Sequence, residues 1–427
     1  MWGLLFTLDT KVHFSSGRMN LIKTILKIFF VWIAIFIAGL LVLEGLFSYF
    51  RHETDPLAFV VQRQSDHLLT PDSSFHSQSS IPGEFDYRAH INHYGYRGKD
   101  FFVPKPRGTI RIFAIGDSFT FGVGSPDDAT IPALLEKDLA TQGFPVEVVN
   151  AGIGGIGTLQ HYVNLKRIHL QYQPDFVVHF FDLTDLWDDW YAERHAIYGA
   201  DGEIQRFDPM FINGKRDWWI TLTYHSVFFR YFHNKVVRTF RKMHTLGVSG
   251  YLQAVKDGKR AKAVIANGQQ EQARQAAVEY DGLLFMRGHE KEDLIREQWP
   301  RTEKYLLKIR DLLAERGIPL VIVMYPSGIY VDGDQWKEGR KTWGFEPGKR
   351  YDDYLPFDLM RTFCQNNNIP FVNTLDAFLK APKEKYFFDW DGHMTAKGNA
   401  IVASAVAGDS VFRTRLSGVV NQSSTGK

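Results

Sequence analysis

One stretch constrains the fold of this chain more than any other: Arg111-Ile112-Phe113-Ala114-Ile115-Gly116-Asp117-Ser118-Phe119-Thr120-Phe121-Gly122. Its first half is a short apolar run, the pattern of a strand buried on both faces of a parallel sheet. Gly116-Asp117-Ser118 breaks that run, and a helical pattern follows over 131–139. Open α/β sheets bind ligands at the carboxyl ends of their strands, where helices begin. Ser118 falls at such a place, with its hydroxyl exposed and backbone N–H groups nearby to meet an anion. Gly, Asp and Ser are also ordinary turn residues, so this stretch alone leaves Ser118 as a turn cap or a nucleophile.

The same alternation recurs downstream. A second short strand over 146–149 runs into Asn150-Ala151-Gly152-Ile153-Gly154-Gly155-Ile156-Gly157-Thr158. Glycines at that density let a backbone approach a ligand and present N–H groups to it. No Gly-Lys-Ser/Thr follows, so it is not a Walker loop. A helix over 159–172 leads to a third apolar strand over 176–181. That strand ends in Asp182-Leu183-Thr184-Asp185-Leu186-Trp187-Asp188-Asp189-Trp190. Further on, a helix over 303–316, a strand over 319–325, a helix over 353–366, a strand over 370–373 and a closing helix over 400–407 resume the pattern. Strand–helix repetition of this kind predicts a parallel sheet with right-handed crossovers. Between them, 191–298 shows no clean repeat and reads as a mainly helical insertion. It carries Lys235, Arg238, Arg241, Lys242, Lys256, Lys259 and Arg260 against Asp257, a basic face that suits an anionic surface or simply solvent. Residues 419–427 read as a disordered tail.

The amino-terminal part reads differently. Residues 28–50 are nearly all apolar, with Glu44 the one charge. At 1.5 Å per residue the run is long enough to cross a bilayer core of about 30 Å. Arg18, Lys23 and Lys27 precede it, which orients the amino terminus to the cytoplasm. The run is too long for a signal-peptide core and lacks a small-x-small site after it, so it reads as an uncleaved anchor; Met1 and Met19 both fit as starts. The resulting division is 1–27 cytoplasmic, 28–50 anchor, 51–90 lead-in, 91–190 and 301–410 the two parts of the main domain, 191–300 insertion and 411–427 tail. The lead-in is polar and Pro- and Ser-rich, a spacer or loosely packed approach, and Arg97 after it reads as surface.

A hydroxyl nucleophile needs a base, and the base needs an orienting carboxylate. His393, in Asp389-Trp390-Asp391-Gly392-His393-Met394 near the last strand–helix junction, supplies the base. Asp391 can reach its far ring nitrogen, with Asp389 in reserve. Cys364 is the only cysteine among 427 residues, so an internal disulfide, a thiolate zinc cluster and an iron–sulfur cluster are excluded. A formal net charge of +2 gives no sign of a nucleic-acid partner. No metal and no organic cofactor is expected.

GDSFTFG, NAGIGGIGT and DGHMTAKGN, in this order, resemble the blocks of the GDSL or SGNH hydrolase superfamily. The resemblance runs from about residue 91 to 407 with the insertion outside it. It implies a three-layer α/β/α flavodoxin-like fold with Ser118 as nucleophile, His393 as general base and Asp391 as its aspartate. Many members place that aspartate three residues before the histidine, where this chain has Trp390. The resemblance also implies an oxyanion hole from the N–H groups of Ser118 and Gly155. Thr184 stands where the family usually has an Asn side chain. Asp117, Asp185 and Trp390 beside these positions are the expected substrate contacts. The implied partner is an acylated glycan or other small ester, handled at an extracytoplasmic site by a single-pass membrane protein. Hydrolysis, acyl transfer to a glycan, and a non-catalytic envelope role with a degenerate oxyanion hole all remain open.

Overall fold

A computed structural model of the chain describes residues 16–51, 60–63, 66–79, 83–208, 211–212, 215–216, 218–233 and 283–424, with single positions at 236, 243, 248 and 249. Five parallel strands form the centre: β1 (Ile110–Gly116), β2 (Val146–Gly152), β3 (Phe176–Phe181), β4 (Leu320–Met324) and β5 (Phe371–Asn373). Their spatial order is β2-β1-β3-β4-β5, and every adjacent pair is parallel. This is the flavodoxin-like arrangement, whose order reverses between β1 and β3. Ser118 follows β1 directly, at that reversal.

β1, β3 and β4 are buried along their whole length, as unbroken apolar runs demand when both faces of a sheet are covered. Arg111 in β1 and His179 in β3 are exceptions in composition and not in burial. The Arg111 guanidinium is fully enclosed but bonds Glu147 Oε1, the Tyr172 carbonyl and the Phe102 carbonyl, each at 2.6 Å, so no charge is left unpaired. Helices cover the sheet in two groups. α3 (Ile131–Thr141) packs with α8 (Ala396–Gly408), and α4 (Thr158–Arg167) packs with α5 (Asp185–His195) and α6 (Glu292–Ala314). Further helices include α1 (Ser16–Arg51), α2 (Ser118–Phe121), α7 (Leu355–Asn366) and α9 (Ser410–Ser424). Within α1, Lys23–Phe50 is long and apolar enough to cross a membrane, with mean hydropathy 2.7 and none of that stretch buried.

Three segments differ from the sequence reading. The lead-in is not loose. Ser73–Gln78 and Asp86–Ile91 form an antiparallel hairpin, and Tyr87, Ala89 and Ile91 cluster with Phe121 in a small second core. Its alternating exposed and buried residues are the signature of a half-covered strand, masked by the polar residues on the other face. The expected tail is α9 through Ser424. Phe412 and Leu416, one helical turn apart, are fully buried, and Phe412 meets Phe176 of β3 with ring centroids 5.4 Å apart. The last part of the expected insertion joins the core, where Phe285 and Ile295 are fully buried. The described part of the insertion holds a short hairpin (Ala196–Tyr198 with Ile204–Phe207) and two helices, Trp218–His225 and Val227–Phe232. Its basic residues, from Lys235 to Arg260, lie outside the described residues.

Candidate active site

β1 ends at Gly116 and α2 begins at Ser118, leaving Asp117 as the helix N-cap. The Asp117 side chain accepts the Phe119 N–H at 3.0 Å, satisfying one of the free donors of the first turn. Ser118, the first helical residue, has no partner for its own N–H within the helix. The turn is tight because β2 runs beside it. A Cβ at Gly152 would stand 2.2 Å from the Phe121 nitrogen, so only glycine permits this approach. From the other side Arg97 braces the turn. Read from sequence as surface, it is 3% exposed. Its guanidinium donates to the Phe121 and Gly122 carbonyls at 2.8 Å, to the Ser125 carbonyl at 2.6 Å and to Asp127 at 2.9 Å.

His393 arrives on the loop before α8. Phe387 and Met394 pair across it, and the Phe388 N–H donates to the His393 carbonyl at 2.9 Å. Gly392 turns the chain with φ +92, where a Cβ would press 2.7 Å from Trp336 Nε1. His393 Nδ1 bonds Asp391 Oδ1, and His393 Nε2 lies 2.7 Å from Ser118 Oγ. With Nδ1–H directed at the carboxylate, Nε2 is the acceptor for the serine proton. The Phe119 ring stacks obliquely on the imidazole at 4.7 Å. Burial opposes a charged imidazole. The bond and charge of Asp391, helped by Asp182, outweigh it, and the His393 pKa is raised. Burial likewise opposes ionisation of Asp391, but its bonds to His393 win and its pKa is lowered. Asp389 takes no part in this chain of bonds; it pairs with Lys385 at 2.6 Å.

The loop is held by a residue that sequence reasoning did not single out. Glu84, in the hairpin turn of the lead-in, accepts the Trp390 N–H at 2.5 Å and the Asp391 N–H at 2.8 Å. No short-range pattern links it to a loop some 300 residues away; the fold alone makes the connection.

A second set of carboxylates lies beneath Ser118. Asp117 is 3% exposed. Its Oδ2 is 3.1 Å from Ser118 Oγ, and its Oδ1 also accepts the Tyr325 hydroxyl at 3.2 Å. Burial first, and Asp182 next, push its pKa up to about 8. Asp188 and Asp189 at the start of α5 are each pushed up to about 7, chiefly by burial. Asp189 is nonetheless fixed by the Leu159 N–H and the Thr302 hydroxyl, both at 2.7 Å.

Two of the sequence-derived substrate contacts are corrected here. Asp117 and Asp185 are buried, Asp185 completely, and a side chain walled in by protein cannot touch a substrate. Trp390 is partly exposed beside the base. Gly155 is exposed with φ +75, and its neighbour Gly154 lies so close that a Cβ there would be 3.4 Å from Ser118 Cβ. Thr184 does not present its donors to this space. Its hydroxyl lies 2.6 Å from Asp182 Oδ1 and 3.2 Å from Asp188 Oδ2, and its N–H donates to Asp182 Oδ1 at 2.7 Å. The single hydroxyl proton is committed to a carboxylate.

No curated protein matches the chain by sequence. Among solved structures it is similar to an acetyl xylan esterase, AlAXEase, at 15% identity and TM-score 0.33, covering 69% of this chain and 97% of that one. It is also similar to a lipase/acylhydrolase from Enterococcus faecalis at 14% identity and TM-score 0.30, covering 70% and 93%. The model of the GDSL-like Lipase/Acylhydrolase family matches residues 114–349, more than half of the chain, beginning inside β1 and taking in Ser118 and the glycine-rich turn. The chain therefore belongs to the GDSL-like lipase/acylhydrolase family.

Proposed function

We propose that this protein is a membrane-anchored serine esterase whose catalytic domain works outside the cytoplasmic membrane on O-acyl esters, acetyl esters of a glycan foremost. The unbroken line from Ser118 Oγ through His393 to Asp391 carries the reading, with 2.7 Å between Oγ and Nε2. His393 Nε2 takes the Ser118 proton as Oγ bonds to the ester carbonyl carbon. Asp391 stabilises the imidazolium that forms. The N–H groups of Ser118 and Gly155 hold the oxyanion. As the tetrahedral adduct collapses, its bond to the alcohol oxygen breaks and His393 returns the proton to that oxygen, leaving an acyl-serine. Water, deprotonated by His393, then attacks the acyl carbon and the acid departs as Ser118 regains its proton. A sugar hydroxyl in place of that water would make the protein an acyltransferase with the same residues. The choice of acetyl rests on the resemblance of the three blocks to family members that handle O-acetyl groups on polysaccharides.

The membrane reading is supported by α1 and by what Glu44, the one charge of its apolar run 28–50, does. Glu44 accepts the Val227 N–H at 2.8 Å and the Phe228 N–H at 3.1 Å, and it also bonds Ser226. It thereby caps a helix of the insertion, and Phe47 meets Phe228 and Tyr231 with centroids 5.3 and 5.0 Å apart. With the Ser48 hydroxyl at 3.2 Å as a fourth donor, this carboxylate costs far less in an apolar setting than a bare one. It also ties the anchor to the insertion.

The test is covalent labelling of the full-length chain in detergent with a fluorophosphonate probe. Wild type should label, Ser118→Ala should not, and His393→Ala should label about 10²–10⁴-fold more slowly. Folded wild type that fails to label, or Ser118→Ala that still labels, overturns the reading and favours a non-catalytic envelope role. Hydrolysis of p-nitrophenyl acetate against longer acyl esters then tests the acyl group, and acetylation of an added glycan separates transfer from hydrolysis.

A further inference from the structure

Beneath the glycine-rich turn lie three side chains that the proposed reaction does not use. His161 is in α4, His179 is in the middle of β3, and Asp185 is the first residue of α5. Their exposures are 1%, 0% and 0%. His161 Nε2, both ring nitrogens of His179 and Asp185 Oδ1 have no hydrogen-bond partner. Buried polar atoms are ordinarily paired, and each exception calls for an explanation. These exceptions converge: one ligand atom from each residue lies within 4.8 Å of the others, with the imidazole rings 5.2 Å apart at 71°.

We infer that His161, His179 and Asp185 form a buried site for a divalent transition-metal ion of the zinc type. Two imidazoles and one carboxylate are an ordinary zinc donor set, whereas calcium and magnesium call for oxygen ligands throughout. Tetrahedral zinc with bonds of about 2.0–2.1 Å separates its ligand atoms by about 3.3 Å, so side-chain torsions need to draw these atoms inward by at most about 1.5 Å. The outer contacts already suit a ligand. Asp185 Oδ2 receives the Asp182 N–H at 3.4 Å and the Thr158 hydroxyl at 3.5 Å, leaving Oδ1 for the ion. The ion would join α4, β3 and α5 under the turns that carry Gly155 and Thr184. Its role is structural, and the ester chemistry does not pass through it. With all three ligands enclosed, loading takes place as the chain folds.

The experiment uses full-length protein without a His tag, purified in detergent and dialysed against EDTA, with metal content measured by mass spectrometry. It is repeated after unfolding and refolding with Zn²⁺ or Co²⁺ alone. Wild type should carry about one ion per chain, either as purified or after refolding with Zn²⁺, and its thermal midpoint should be higher than after refolding in EDTA. Co²⁺ should give the visible absorption of a tetrahedral centre. Asp185→Asn and His179→Gln should lower the metal content at least tenfold and lose the Zn²⁺-dependent shift. Should those variants fail to fold, refolding of wild type decides alone. Folded wild type with less than a tenth of an ion per chain under every condition overturns the inference, as does metal content that both folded variants retain.

Discussion

Replacing Glu84 by Ala tests how the loop carrying Asp391 and His393 is kept in register with Ser118. Glu84 Oε1 accepts two N–H groups of that loop, at 2.5 and 2.8 Å, and Ser79 steadies Oε2 from 3.0 Å. Hydrogen bonds to a charged acceptor are worth about 1.5–3 kcal/mol each, so two fully shielded ones would bias the loop by about 3–6 kcal/mol. Glu84 is only half-buried. Solvent screening brings the expected bias down to about 2–3 kcal/mol. Catalytic groups must be held within about 0.5 Å, so losing the bias lowers the fraction of correctly set enzyme. At 1.36 kcal/mol per tenfold, kcat/KM should fall about 30- to 160-fold. Glu84 touches the loop backbone and no reacting atom, so the loss should fall on kcat with KM little changed. Glu84→Gln keeps a neutral acceptor and should recover about half of the loss on a logarithmic scale. The assay is steady-state hydrolysis of p-nitrophenyl acetate, with the thermal midpoint as a check on folding. Glu84→Ala within threefold of wild type, or Glu84→Gln as impaired as Glu84→Ala in a folded protein, refutes the positioning role.

The proposed mechanism requires a neutral His393, whose pKa is raised above the ordinary 6.5. The acid limb of the kcat/KM profile should therefore lie above pH 6.5 and move to lower pH in Asp391→Asn, where burial acts without its counterweight; an unmoved limb would break the assignment. Thr184→Val removes a hydroxyl bonded to Asp182 and Asp188. It should cost about 1–3 kcal/mol of stability while kcat stays within tenfold. A fall of 10² or more at an unchanged thermal midpoint would instead return Thr184 to the oxyanion hole. Asp117→Asn should remain active and lose the alkaline limb expected near pH 8 from ionisation of Asp117. Inactive, folded Asp117→Asn would contradict that account.

The sheet was legible because its strands are short, mostly apolar runs, and 176–181 is recovered residue for residue as β3. Ser118 and His393 were legible as candidates because Ser118 stands just beyond β1 and His393 just before α8, in turns that sequence can recognise. What escaped is what depends on contact between distant segments. Arg97 looks like any basic residue in a polar stretch, and only the fold shows it enclosed by the carbonyls of the Ser118 turn. α9 reads as a tail in sequence because Arg413 and Arg415 dilute the stripe formed by Phe412 and Leu416. His161 and His179 sit in segments whose periodicity marks them as core, which conceals that they meet each other.

The acid before the nucleophile gains its meaning from proton bookkeeping. Ser118 has one hydroxyl proton and two neighbouring acceptors, His393 Nε2 at 2.7 Å and Asp117 Oδ2 at 3.1 Å. Only the first pairing leads to chemistry. The Phe119 N–H and the Tyr325 hydroxyl both fall on Asp117 Oδ1, so a proton bound by Asp117 resides on Oδ2, the oxygen facing Ser118. In that state Oδ2 cannot accept the serine proton, and His393 receives it without competition. An ionised Asp117 would compete for the proton and set a second negative charge against the oxyanion. Burial, reinforced by Asp182, holds the pKa near 8 and so keeps the acid neutral over the range in which His393 is already free to act as a base. Asp117→Asn reproduces that neutral acid in shape and charge, and its alkaline profile therefore separates this role from a simple helix cap.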